Sequence, residues 1–158
     1  MACAVLQNGF DVLVKAPPGN VAAVVTHLEN LPLWDPGCTD AVALDSHNYI
    51  IHDASFQQKI WYTVKASGPS FVKVTGRGRS FTTREIIAVR PHERELMWCY
   101  VRYKVEVSLK IPYCLCSPCV ELKLQRASRD AAEGMRALFE REEPGEETDE
   151  LMIFHCEL

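Results

Sequence analysis

The sequence predicts an α+β fold, a meandering antiparallel sheet covered by one long helix near the C-terminus. Three observations predict it. Residues 71–101, FVKVTGRGRSFTTREIIAVRPHERELMWCYV, fall into three strand-like runs separated by Gly76-Arg77-Gly78 and by Pro91-His92-Glu93-Arg94. Proline fixes its own φ and cannot donate to a ladder, so the second break ends a strand. Ala127, Ala131, Met135, Leu138 and Phe139 recur at helical spacing, which predicts a helix over 127–141. Near the N-terminus, an alternating run over 10–15 is followed by Val21, Val24, Val25 and Leu28 in helix period. A sheet with one apolar face needs a covering layer, and the last helix supplies it.

The elements follow in order. Phe10, Val12 and Val14 share one face of a first strand, and Pro17-Pro18 suits the first turn of a helix over 20–29. Leu31-Pro32-Leu33-Trp34 allows only a short helical turn. Strands are expected over 40–44, 49–51 and 56–65, with Asp45-Ser46-His47-Asn48 and Ser67-Gly68-Pro69-Ser70 as turns. Residues 71–75 and 81–89 supply two more. A third run starts at Glu95, with Leu96, Trp98 and Tyr100 on one face and Met97, Cys99, Val101, Tyr103, Val105 and Val107 on the other. Val120, Leu122 and Leu124 alternate, which predicts a strand over 119–125 before the last helix. Gly134 inside that helix is either a tolerated glycine or a point of close approach to the sheet or a ligand. Residues 1–143 form the domain. Residues 144–158 comprise an acidic linker and an apolar tail.

Composition narrows the function classes. A chain of 158 residues with 47% hydrophobic and 24% charged residues is that of an ordinary globular protein with a sizeable core. A formal charge of −4 lacks the basic balance of a nucleic-acid binder, so no nucleic-acid partner is expected. No apolar run reaches the ~20 residues needed to span a bilayer, and the start lacks signal-peptide character. Seven cysteines without such a signal predict reduced thiols and a cytoplasmic location.

Three stretches carry a family resemblance: Val14-Lys15-Ala16-Pro17 with the helix that follows, Leu33-Trp34-Asp35-Pro36, and Gly76-Arg77-Gly78 through Val89-Arg90-Pro91 to Leu96-Met97-Trp98. In this order they resemble the START/Bet v 1-like (SRPBCC) superfamily and its polyketide cyclase/dehydrase branch. The resemblance implies a helix-grip fold, a curved antiparallel sheet wrapped around a long C-terminal helix with a cavity between them. It implies binding of a hydrophobic or amphipathic small molecule or lipid. Members usually have more chain between the Leu-x-Trp strand and the last helix, and the segment from Pro112 to Pro118 departs from that pattern.

The expected cavity wall comprises Trp34, Trp61, Phe81, Trp98, Tyr100, Met135, Leu138 and Phe139, large side chains that also suit a packed core. Arg77, Arg79, Arg84 and Arg90 either keep a strand edge solvated or, through an inward Arg84, anchor a ligand carboxylate or phosphate. Cys114, Cys116 and Cys119 are close enough in sequence for zinc or copper(I), but a fourth ligand is not evident. Packed cysteines are therefore preferred and no metal is expected. No nucleophile elbow, HExxH or phosphate-binding loop occurs, and no cofactor is expected. Asp35, Tyr62, His92 and Arg84 are the residues available for acid–base work. The first reading is ligand binding without catalysis, the second a cyclase/dehydratase-like enzyme in the same cavity, and the third an interaction module with a cysteine metal site.

Overall fold

A computed structural model describes residues 2–140. In chain order these form β1 (Ala2–Val14), α1 (Pro18–Val25), α2 (Leu31–Trp34), β2 (Cys38–Ala43), β3 (Asn48–Asp53), β4 (Gln58–Gly68), β5 (Phe71–Arg77), β6 (Phe81–Pro91), β7 (Cys99–Lys110) and α3 (Ser117–Phe139). Short 3-10 turns precede α2 and α3. The strands build one antiparallel sheet in the order β1-β7-β6-β5-β4-β3-β2. The first strand pairs with the last, Leu6 opposite Val107 and Val12 opposite Val101. The helices α1 and α2 then carry the chain across to the far edge. This is the α+β helix-grip architecture.

Alternation sorts the sheet into two faces. Val72 and Val74 of β5, Phe81, Ile87 and Val89 of β6, and Val101, Val107 and Leu109 of β7 are all buried on the inner face. They pack with Val21 and Val25 of α1 and with Leu124, Ala131 and Met135 of α3. Each such side chain contributes ~1.5–3 kcal/mol of transfer free energy. α3 lies over this face, against β1 and α2.

The expected strand over 119–125 is corrected: those residues are the first turns of α3. Pro118 occupies the first turn, where its missing N–H costs nothing. Leu124, Ser128, Ala131 and Met135 follow at steps of four, three and four and form the buried face. Leu122 is 56% exposed and Leu124 only 7%, as two residues a half-turn apart on a helix must be. β7 therefore runs into α3 through one 3-10 turn, Tyr113–Cys116, with no intervening hairpin.

The third run of the meander also starts later than expected. Residues 92–98 form a turn in which His92 N–H donates to the Trp98 carbonyl at 3.1 Å, and β7 begins at Cys99. Leu96 is 90% exposed in that turn and shares no strand face with Tyr100. β1 is longer than residues 10–15, because pairing with β7 extends it back to Ala2.

The expectation of seven reduced thiols is corrected as well. Cys3 of β1 and Cys114 form a disulfide, with Cα atoms 5.8 Å apart. Cys38 and Cys99 are buried free thiols, and Cys116 and Cys119 are exposed. Among the described residues no three His, Cys, Asp or Glu side chains converge to hold a metal, and no helix is long and apolar enough to cross a membrane. Arg141 and the linker and tail over 144–158 lie outside the described residues.

Candidate functional site

The inner face is apolar except at one place. Thr83 and Glu85 alternate with Phe81 and Ile87 along β6 and are buried with them. Register explains what surrounds Glu85. Tyr62 of β4 stands opposite Gly76 of β5, and Gly76 stands opposite Thr83. Gly76 carries no side chain, so the Tyr62 ring crosses above it. A Cβ there would lie 3.1 Å from Tyr62 Cε1 and also collide with Thr83 Oγ1. The crossing brings the Tyr62 hydroxyl to Glu85 Oε1, to which it donates. Thr83 Oγ1–H donates to the same oxygen at 2.8 Å, and Tyr103 O–H of β7 donates to Glu85 Oε2 at 2.9 Å.

A buried carboxylate is costly unless its lone pairs are satisfied. Here burial raises the Glu85 pKa, the three hydroxyl donors lower it, and the net shift is upward. Burial and the Glu85 charge push both tyrosine hydroxyls well above their usual range, so they remain donors.

Two further carboxyls face Glu85 from the other side. Asp35 follows α2 and accepts the Gly37 N–H at 2.9 Å. Burial pushes its pKa up to about 6, and Asp53, Glu85 and Asp130 add to the rise. Asp53 ends β3 and accepts the Phe56 N–H at 2.9 Å. Its pKa is raised by burial against two backbone hydrogen bonds and Lys123. Burial together with Asp35 holds the Cys38 thiol neutral, at about 12.

These groups line a cavity of about 70 Å3 between the sheet and α3. Its apolar wall includes Trp34, Ile60, Phe81, Val105, Leu124 and Ala131. The Trp34 Nε1–H is buried and has no hydrogen-bond partner among the described residues. Lys123 of α3 reaches the turn after β3, with its Nζ 3.5 Å from the Ser55 carbonyl and 5.8 Å from the Phe56 ring centroid.

The residues expected at the cavity divide into three groups. Trp34 and Phe81 line it. Met135, Leu138 and Phe139 lie on α3 but outside its lining; Met135 is fully buried in the core, and the other two are half-buried. Trp61, Arg84, Trp98 and Tyr100 occupy the other side of the sheet or its rim, because each alternates with an inward residue or lies in a turn. Trp61 is 50% exposed between the buried Ile60 and Tyr62. The Arg84 side chain is 79% exposed and pairs with Glu106 at 3.6 Å. Trp98 and Tyr100 pack on His92, with Arg90 above the Tyr100 ring.

The outer face holds a wide groove of about 940 Å3, and Lys65, Lys73, Arg84, Arg102 and Lys104 line it. Of the four acid–base candidates, Asp35 and Tyr62 face the cavity, and Arg84 and His92 do not. Glu85, Tyr103, Thr83 and Asp53 were not expected. The signal for Glu85 was its spacing: it stands four residues from Phe81, on the same strand face, as a lone charge.

No protein-family model and no curated protein matches the chain. Solved structures do match in fold. A START superfamily protein from Mycobacterium smegmatis superposes with a TM-score of 0.74 over 85% of this chain and 97% of that one, at 14% identity. The Zhui aromatase/cyclase from Streptomyces sp. R1128 gives 0.74 over 87% and 95%, at 9% identity. Truncated norcoclaurine synthase from Thalictrum flavum gives 0.66 over 90% and 98%, at 12% identity. The chain shares the fold of these structures.

Proposed function

We propose that this protein binds a small amphipathic organic molecule in the cavity between the sheet and α3. One observation carries the reading: a buried carboxylate, Glu85, is held by three hydroxyl donors in a chamber that joins an apolar wall to a small set of polar groups. A core built for stability alone gains little from such a group, since a buried charge is weak evidence for stability. A few placed polar groups in an apolar wall are the usual form of a small-molecule site. The similar structures named as a START superfamily protein and an aromatase/cyclase support the same reading.

The volume restricts the ligand. A cavity of about 70 Å3 is far below the ~300–1,000 Å3 of ordinary ligand pockets. A compact group fits it, against apolar lining that includes Leu31, Phe56 and Leu124. A long acyl chain does not fit a cavity of this size. The test is calorimetric titration of the full chain with compact amphipathic molecules, repeated on Ser128→Leu, which places a larger side chain in the lining. Saturable binding that weakens in the variant supports the site. Equal binding to both would place the ligand elsewhere.

A second reading, an acid–base enzyme in the same cavity, is favoured by Asp35. A carboxyl with a pKa of about 6 both accepts and returns protons near neutrality. Turnover of a bound compound that follows Asp35 ionisation and disappears in Asp35→Asn would make this the better account.

A further inference from the structure

The cavity lining carries three carboxyls, Asp35, Asp53 and Glu85, and no lysine, arginine or histidine. The carboxyls come from separate elements around one small space. Among the described residues they do not converge as a metal site does. An acidic cluster alone would be no more than a buried oddity. The Trp34 Nε1–H is the independent second observation: a buried donor with no partner among the described residues, carried by a residue of the same lining. Buried polar groups are nearly always paired, so an orphan beside a cavity marks the place of an absent acceptor. Glu85 already accepts three hydroxyl donors, which suits a carboxylate and not a carboxylic acid, whose proton would need an acceptor of its own.

We propose that the ligand is a compact organic cation, a protonated amine on a small apolar body, whose N–H groups are accepted within this carboxyl-bearing lining and whose acceptor atom takes the Trp34 indole N–H. This rests on the ligand-binding reading above and adds the charge of what is bound. The chemistry is complementary throughout. An ammonium group has donors only and matches a set of acceptors, and charge-assisted hydrogen bonds in a desolvated site are the strong ones. A carboxylate ligand would bring a fourth negative group into the same space. Lys123 acts on the Asp53 charge, but it lies against Ser55 and Phe56 and is not in the lining.

The experiment uses the full chain and matched sets of probes: amine, alcohol and carboxylic acid on isobutyl, benzyl and phenethyl bodies, titrated by calorimetry at pH 7.5. At least one amine is expected to bind tenfold or more tighter than its matched alcohol, with no detectable binding of the matched acid. The Trp34 indole N–H resonance should shift on titration with an amine that also carries a hydroxyl. Amine affinity should fall at least fivefold between pH 7.5 and pH 5, as Asp35 takes up its proton. The groups facing the carboxyls are Cys38, Tyr62, Tyr103, Lys123 and Asp130, and none of these gains positive charge in that range to offset the loss. Glu85→Gln should remove most of the preference for amine over alcohol. Should that variant fail to fold, the pH series on the parent protein carries the same test. Acid binding as tightly as amine, or alcohol equal to amine, would overturn the cation and leave the binding site standing. No binding by any of the nine probes would remove both.

Discussion

Gly134 of α3 lies against the backbone carbonyl of Trp34 of α2, so closely that a Cβ there would overlap the Trp34 oxygen and stand 3.1 Å from its carbonyl carbon. The helix glycine is thus a point of close approach, and what approaches is the short helix that carries Trp34 and Asp35 into the site. Backbone cannot yield as a flexible side chain can. Gly134→Ala should therefore destabilise by ~1–3 kcal/mol, although alanine is the better helix former by ~1 kcal/mol. Gly19 in α1 provides the contrast, since a Cβ there meets nothing within 4 Å. Gly19→Ala should be neutral or stabilising by up to ~1 kcal/mol. Urea denaturation of both variants checks the pair. Stabilisation by Gly134→Ala would mean that α2 and α3 are further apart.

Asp35 makes stability depend on pH. Its folded pKa, about 6, lies above the ordinary aspartate value of 3.8. A carboxyl raised on folding favours the folded state fully below its unfolded pKa, and that contribution is lost as pH rises through the folded value. The window is therefore roughly pH 4 to 6, and the loss is at most about 3 kcal/mol at ~1.36 kcal/mol per unit. Asp35→Asn keeps an oxygen for the Gly37 N–H and removes the ionisation. The variant should match the parent near pH 4 and be the more stable of the two at pH 7. Denaturation midpoints at both pH values measure this, and a gap that does not change with pH would contradict the assignment.

The cysteines give a chemical prediction. Cys3 and Cys114 close a loop with a sequence separation of 111, which tethers the free end of β1 to the turn before α3. Cys114→Ser should cost ~2–5 kcal/mol. Peptide mapping of unreduced protein should recover the Cys3 and Cys114 peptides as one species, with Cys38, Cys99, Cys116 and Cys119 alkylated only after denaturation or by virtue of exposure. Recovery of Cys3 as a free thiol would restore the fully reduced reading.

Much of the fold is legible in the sequence because alternation and helix period are local. The meander shows at its Gly and Pro breaks, and the stripe from Ala127 to Phe139 shows a helix. Two misreadings have physical causes. Val120, Leu122 and Leu124 alternate only because an exposed Leu122 sits between residues of a helix; the stronger signal was that Leu124 continues the step of four to Ser128. Residues 2–9 have little apolar alternation and become strand through pairing with β7, a non-local cause. The site was less legible. Phe81 lies on the inner face, and strand parity then puts Glu85 inward and Arg84 outward. The reach of the Tyr62 hydroxyl across Gly76 depends on register between strands, which one sequence does not display.

Arg84 and Glu85 are adjacent, and they should respond oppositely to truncation. Arg84 reaches over the outer face to Glu106 in an exposed pair, and such pairs contribute ~0–1 kcal/mol. Arg84→Ala should change stability by no more than ~0.5 kcal/mol and leave ligand binding intact. Glu85→Ala strands the Tyr62, Thr83 and Tyr103 hydroxyls, all of which donate to it. An unsatisfied buried donor costs ~1–3 kcal/mol, and relief of the buried charge offsets part of the sum. The expected net loss is about 2–4 kcal/mol, together with loss of amine binding. Urea denaturation of the two variants beside the parent decides it. A larger loss for Arg84→Ala than for Glu85→Ala would turn β6 over, place the arginine in the cavity, and reverse the charge of the ligand it selects.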